Sequence, residues 1–200
     1  MDLGFVYRPL FAALLWAGLT FSLQPAMSAG IFFELLWLDL FPAGTYIPPH
    51  ALISLTATLT LLACLPDADM RLTALVVVAT LPLAYLGAWV EQLHRKRQNA
   101  CYNQLLIWNR SGNARVFAPE RLTVRALVEI FALNFAVLFF CLIPLLLGAR
   151  LLQPLLAGGV QPTWPMLWIG ASAGAILALR VPRAYALAGV ALVLGTLLTL

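Results

Sequence analysis

Charge is what this chain has least of. Twelve basic and eight acidic side chains among 200 residues make it 10% charged, against 62% hydrophobic. A soluble domain of this size carries about a quarter charged residues. The shortage excludes a water-soluble globule, because too few polar groups exist to cover its surface. Histidine is nearly missing: only His50 and His94 occur, which excludes a histidine-rich metal site. Cysteine is sparse as well. Cys64, Cys101 and Cys141 are odd in number and lack C-x-x-C spacing, so no disulfide framework is expected. The pair Asp67 and Asp69 has nothing nearby to complete an oxygen shell and reads as a solvated turn. There is no P-loop, no G-x-S-x-G and no H-E-x-x-H, and no nucleophile–base set that would make an intramembrane enzyme. No cofactor, no metal and no nucleic-acid partner are expected.

What is abundant is apolar sequence. The mean hydropathy is +0.93. Seven apolar stretches run over Phe5–Leu23, Ala26–Phe41, Ala51–Leu65, Leu72–Val90, Ala126–Leu147, Met166–Leu179 and Ala184–Leu200. They predict an all-α fold, a polytopic transmembrane helical bundle of about six or seven segments, with residues 1–200 forming one integral membrane domain. A helix needs about 20 apolar residues to cross the hydrocarbon, which Phe5–Leu23, Leu72–Val90 and Ala126–Leu147 supply. Ala26–Phe41, Ala51–Leu65 and Met166–Leu179 fall short. Short segments beside Pro and Gly suggest broken or re-entrant helices, tolerated at membrane depth only when buried in protein or lining a cavity. Such segments are also the best pointer to a transporter's binding site. The N-terminus does not read as a cleavable signal: Asp2 leads, and Ser28-Ala29-Gly30 comes late and runs on into apolar sequence.

One polar island, residues 91–125, interrupts the pattern. It holds Arg95, Lys96, Arg97, Arg110, Arg115, Arg121 and Arg125, seven of the twelve basic residues. The positive-inside rule places it in the cytoplasm. If every segment crosses, ten basic residues fall inside and only Arg71 and Arg150 outside. A re-entrant Ala26–Phe41 would move Arg8 alone, so the side of the N-terminus stays open. Within the island, Glu120–Phe131 mixes charges with Leu122, Leu127 and Ile130 at helical spacing, which fits either an interfacial helix or a solvated helix start. Gly170 and Gly174 form a G-x-x-x-G that suits close helix packing.

The stretch from Gly30 to His50 carries the chemistry. Glu34 lies among "IFF" and "LLW", and a carboxylate in lipid is rare, costing about 2.5–3.5 kcal/mol at a helix centre. It therefore reads as a functional group. Asp39 is read as a helix-end residue at the interface. On a continuous helix the two are separated by about 140°, so they are not a catalytic pair. Pro42, Gly44, Pro48 and Pro49 break the helix, and freed backbone groups at such a break can bind a polar ligand. Beyond it, Ser54 and Thr58 are four apart on one face. Hydroxyls in membrane helices more often bond back to their own carbonyls than to a substrate.

One pattern is more specific. Arg8-Pro9-Leu10, Gly18, Gly30, Glu34-Leu35, Leu38, Gly44, Pro49 and Ala51 resemble the membrane IIC subunit of the mannose/fructose/sorbose family of bacterial phosphotransferase systems. In that family an R-P-L opens a helix, a G-x-x-x-E-L-x-x-L-G follows, then a Gly and a P-D-A. The spacing matches without gaps from Arg8 to Ala51, about a quarter of the chain. The resemblance implies a multi-pass subunit of the bacterial inner membrane, the permease of a sugar phosphotransferase system. It would form part of the translocation path for a hexose or amino sugar in an oligomeric complex with a IID-type partner. It would pass sugar to soluble IIA and IIB phosphocarrier proteins and perform no phosphoryl transfer itself. The family's sugar-site residues carry over to Glu34, Pro49 and His50, with Asp39, Ser54 and Thr58 as further candidates for the lining.

The departures are specific too. His50 stands where the family has Asp, Asp39 where it has Gly, and Pro42 where a polar residue is usual. Little precedes Arg8, and the C-terminal third is compressed. These departures raise an alternative: a degenerate, non-transporting membrane scaffold or regulator that keeps only the packing features.

Overall fold

A computed structural model of the chain describes residues 8–38, 47–110, 119–156, 158 and 161–178. Every regular element among them is helical, so the fold class is all-α. The elements are α1 (Pro9–Thr20), α2 (Leu23–Leu36), α3 (Ala51–Cys64), α4 (Met70–Arg110) and α5 (Pro119–Leu152). A 3-10 turn (Gln153–Leu156) and α6 (Trp164–Ala178) complete them.

Helix α1 opens at Pro9, with Arg8 as its extended N-cap residue. Proline suits the first helical position, because its missing N–H has no intrahelical acceptor there. The apolar run Phe5–Leu23 does not form one helix of spanning length, contrary to expectation. It stops at Thr20, and Phe21 adopts a left-handed backbone with φ of 55°. The Thr20 hydroxyl turns back to the Trp16 carbonyl at 2.8 Å and meets the Ser22 hydroxyl at 2.5 Å. Those polar bonds and the left-handed residue reverse the chain where hydropathy shows no break. Helices α1 and α2 are consequently only about 18 and 21 Å long at 1.5 Å per residue. They pack as a hairpin with Gly30 at its closest approach: a Cβ there would lie 2.6 Å from the Ala13 Cβ.

Helix α2 ends at Leu36, so the helical angle reckoned between Glu34 and Asp39 does not apply. Asp39, Pro42 and Gly44 lie outside the described residues. The chain is described again from Ile47, and α3 runs back antiparallel to α4. Their seam is polar at its centre. The Ser54 hydroxyl donates to the Thr80 carbonyl at 2.8 Å, and the Thr58 and Thr80 hydroxyls meet at 2.7 Å, all three residues fully buried.

Helix α4 does not stop where the polar island begins. It continues unbroken from Val90 through Arg110, and α5 begins at Pro119 rather than Ala126. Hydropathy bounds the buried run, whereas helix length follows helix-forming residues, and Glu91–Arg97 is rich in them. Two segments are long and apolar enough to cross a membrane by length and composition. Met70–Asn103 has hydropathy 1.9, and Thr123–Leu156 has hydropathy 2.7 with none of its most apolar 18-residue window buried.

Helix α6 closes the other flank of α2. The Trp168 indole donates to the Ser28 carbonyl at 3.0 Å. Of the G-x-x-x-G pair only Gly174 is a close-packing position, with its added Cβ 3.3 Å from Leu36 Cδ1; Gly170 faces open space. The apolar stretch Ala184–Leu200 lies outside the described residues. The main core joins Ala13, Ala29, Phe33, Leu55, Val77 and Ala171, from five helices.

The two hairpins turn at the same end. Thr20 and Ser22 of the first, Leu65 and Pro66 of the second, and Trp164 at the start of α6 border one cleft. The open ends of both hairpins therefore lie at the opposite end, and α4 continues past them into the island.

Candidate substrate site

At the open end of the first hairpin, Glu34 reaches across to the start of α1. Its Oε1 accepts from the Arg8 guanidinium at 2.8 Å, and its Oε2 lies 3.4 Å from the Leu10 amide. The Leu10 N–H is one of the orphan donors of a helix N-terminus. Glu34 therefore caps α1 from a neighbouring helix while pairing with its first cation. The carboxylate is 19% exposed and the Arg8 side chain 44%. A carboxylate has about four acceptor sites, so two bonds within the chain leave capacity for hydroxyls from a ligand.

At the open end of the second hairpin is His50, where the resemblance expects an aspartate. Its backbone N–H donates to the Ala84 carbonyl at 2.9 Å, and its ring Nε2 bonds the Glu91 carboxylate. Glu91 also holds Arg95 one turn along α4, accepting from Nε at 2.9 Å and from the second guanidinium nitrogen. Gly87 makes the approach possible: a Cβ there would lie 3.0 Å from the His50 Cβ and run into Ile53. Pro49 precedes this junction, partly buried, and its carbonyl accepts from Ala51 at 3.0 Å. Cation, carboxylate and imidazole thus tie the restart of the chain to α4.

Ser54 and Thr58 do share a face, and it is the face against α4. Ser54 is spent on the Thr80 carbonyl. The Thr58 hydroxyl lies 2.8 Å from the Ser54 carbonyl, and that of Thr80 lies 2.9 Å from the Val77 carbonyl. With one proton each, one of these two hydroxyls bonds its own helix and the other bonds its neighbour. In this conformation both site candidates act as helix–helix polar contacts. Asp39 lies outside the described residues.

Glu91, Arg95 and Arg8 were not anticipated as partners. Glu91 and Arg95 belong to the island by charge, yet their i, i+4 spacing marks a helix continuing beyond the apolar run. His94 was not singled out either. It is 2% exposed, and its Nε2 lies 2.7 Å from the Gln98 amide nitrogen. Its Nδ1 is buried without a hydrogen-bond partner. No group of three His, Cys, Asp or Glu that could hold a metal occurs among the described residues. Asp69 instead caps α4, its Oδ1 accepting from the Leu72 amide at 2.9 Å.

The cleft at the turn end has a volume of about 470 Å³ and includes none of Glu34, Pro49, His50, Ser54 or Thr58. Compared with protein-family models, with curated proteins and with solved structures, the chain finds no match in any of the three.

Proposed function

We propose that the chain is a polytopic inner-membrane subunit of a mannose-family sugar phosphotransferase system, building part of the sugar path with a IID-type partner. The observation that carries the reading is the pairing of an unburied apolar surface with polar clusters at the open ends of the two hairpins. Phe131, Phe135, Phe139 and Phe140 on α5 are all more than half exposed, which suits lipid and not water. Glu34 with Arg8, and His50 with Glu91 and Arg95, gather near the end of α2 and the start of α3, the arrangement expected of a substrate path. The Arg8-Pro9-Leu10 helix start and the Gly30–Glu34 spacing add the family resemblance. Arg8 lies at the end from which α4 enters the island, and Arg71 and Arg150 at the other, which favours the threading with the N-terminus inside. In this reading Glu34 accepts from two adjacent sugar hydroxyls and His50 takes the place of an acidic acceptor. The soluble IIA and IIB proteins carry the phosphoryl group, and this chain passes them the sugar.

Sugar uptake in cells carrying a IID partner and the soluble phosphocarriers tests the proposal. Glu34→Gln is expected to abolish uptake; unaltered uptake would remove Glu34 from the path. The alternative, a non-transporting scaffold or regulator, draws on the engagement of Glu34, Ser54 and Thr58 by the chain itself. It predicts no uptake with any sugar while a IID partner still co-purifies from membranes.

A further inference from the structure

We propose that the cleft at the turn end is a recognition subsite for an uncharged pyranose, remote from Glu34 and His50 and on the opposite side of the bundle. It rests on the sugar-path reading for the class of substrate, and on the cleft's own lining for the chemistry. Trp16 of α1 and Trp164 of α6 border it, with Thr20, Ser22, Gln24 and Thr73 supplying polar groups and leucines the floor. Among the described residues neither indole N–H finds a hydrogen-bond acceptor, and the Gln24 amide has no partner either. Three residues whose side-chain donors the chain leaves open therefore border one cavity. A pyranose needs this mixture: indole faces for its C–H surface, and donors and acceptors for its hydroxyls. An alkyl chain does not, since it would strip those groups of water without replacing their hydrogen bonds.

Neutrality follows from the adjoining turn. Pro66, Ala68 and Met70 line the cleft, whereas the charged residues between and beside them, Asp67, Asp69 and Arg71, do not. Asp69 is engaged in capping α4, and Arg71 donates to the Leu156 carbonyl at 2.7 Å. Among the described residues no charged side chain lines the cleft, which disfavours a phosphorylated or acidic sugar. The volume falls within the usual range for small-molecule sites, about 300–1,000 Å³. The stretch of α3 from Ala51, beside His50, to Leu59, where the lining of the cleft begins, separates the polar junction from the cleft by about 12 Å along the helix axis. A sugar received here is on the side away from the phosphocarriers, where an unphosphorylated substrate would arrive.

The test is binding of radiolabelled mannose, glucose and N-acetylglucosamine to the full chain in lipid nanodiscs, free of sugar-headed detergent, with glucose 6-phosphate as the charged probe. Saturable binding of at least one neutral sugar is expected, weakened at least tenfold by Trp164→Ala and several-fold by Gln24→Ala, with glucose 6-phosphate at least tenfold weaker. Gln24 is exposed, so its substitution leaves the fold intact and keeps the test sharp should Trp164→Ala not fold. Absence of binding by all three sugars overturns the subsite. So does binding that ignores Gln24→Ala but is lost in Glu34→Gln, which would put the sugar at the opposite end. Equal binding of glucose 6-phosphate overturns the neutrality. Uptake is scored separately: cleft binding without uptake keeps the subsite and removes the transport reading, and uptake without cleft binding does the reverse.

Discussion

At Glu34 one carboxylate meets a guanidinium and a helix-terminal amide, and the two contacts differ in worth. The Arg8 side chain is almost half exposed, and ion pairs of that kind contribute about 0–1 kcal/mol. Serving an orphan N-terminal donor is worth about 0.5–2 kcal/mol. Arg8→Ala should therefore lower the unfolding midpoint less than Glu34→Ala, as read by thermal unfolding in nanodiscs; the reverse order would show that the ion pair dominates. Thr80 is a second test. It accepts from Ser54 through its carbonyl and meets Thr58 through its hydroxyl, all without exposure. Thr80→Val removes the hydroxyl contact at nearly constant volume. It should cost about 0.6–1.7 kcal/mol, the range of interhelical hydrogen bonds within membranes, with sugar uptake retained. Loss of uptake with unchanged stability would instead return Thr58 to the substrate path. The candidates Ser54 and Thr58 were legible as one face because period 3.6 requires it. That the face meets α4 and not a cavity depended on Thr80, 22 residues from Thr58 and silent in sequence.

Among the elements, the first hairpin depends on backbone approach. Gly30→Val would drive a branched side chain into Ala13 and towards the Leu10 backbone. Overpacking of this sort costs about 1–3 kcal/mol or more. Separating α1 from α2 would also draw Glu34 away from Arg8, so Gly30→Val should weaken sugar uptake as well as stability. Gly18→Ala, whose added Cβ meets nothing within 4 Å, should be tolerated in both measurements. Equal loss at the two positions would contradict the hairpin geometry. Helix positions were mostly legible from apolar runs, because burial and lipid exposure both select apolar residues. Ends were less so. The halt at Thr20 rests on a left-handed phenylalanine that no composition signals, and the passage of α4 through Val90 rests on helix propensity where hydropathy falls.

For the molecule as a whole, the two hairpins fix which groups share an end. In the proposed topology Cys64, at the close of α3, lies at the outer end, and Cys101, well along α4 in the island, lies in the cytoplasm; both are exposed. Single-cysteine variants in intact cells should react with an impermeant maleimide at Cys64 only, and Cys101 should react once the membrane is opened. Labelling of Cys101 in sealed cells would invert the topology and place the tryptophan cleft on the inner side. The basic island was visible from charge alone. The common end of Arg8, Glu34, His50 and Glu91 was not visible, because it arises from two antiparallel pairs turning in the same direction.

The sequence by itself pointed to the helical class, since long apolar runs with few charges can satisfy their backbone groups within single helices. It also marked Glu34 and the Pro48–Pro49 break as unusual, because a carboxylate and a helix stop are costly in apolar surroundings. Only the tertiary structure decided what those features touch. Glu34 caps a helix it does not belong to, His50 finds its acid 41 residues away, and two tryptophans 148 positions apart border one cleft. Local composition sets the cost of placing a polar group in an apolar chain. The partner that meets that cost is chosen by how the helices pack.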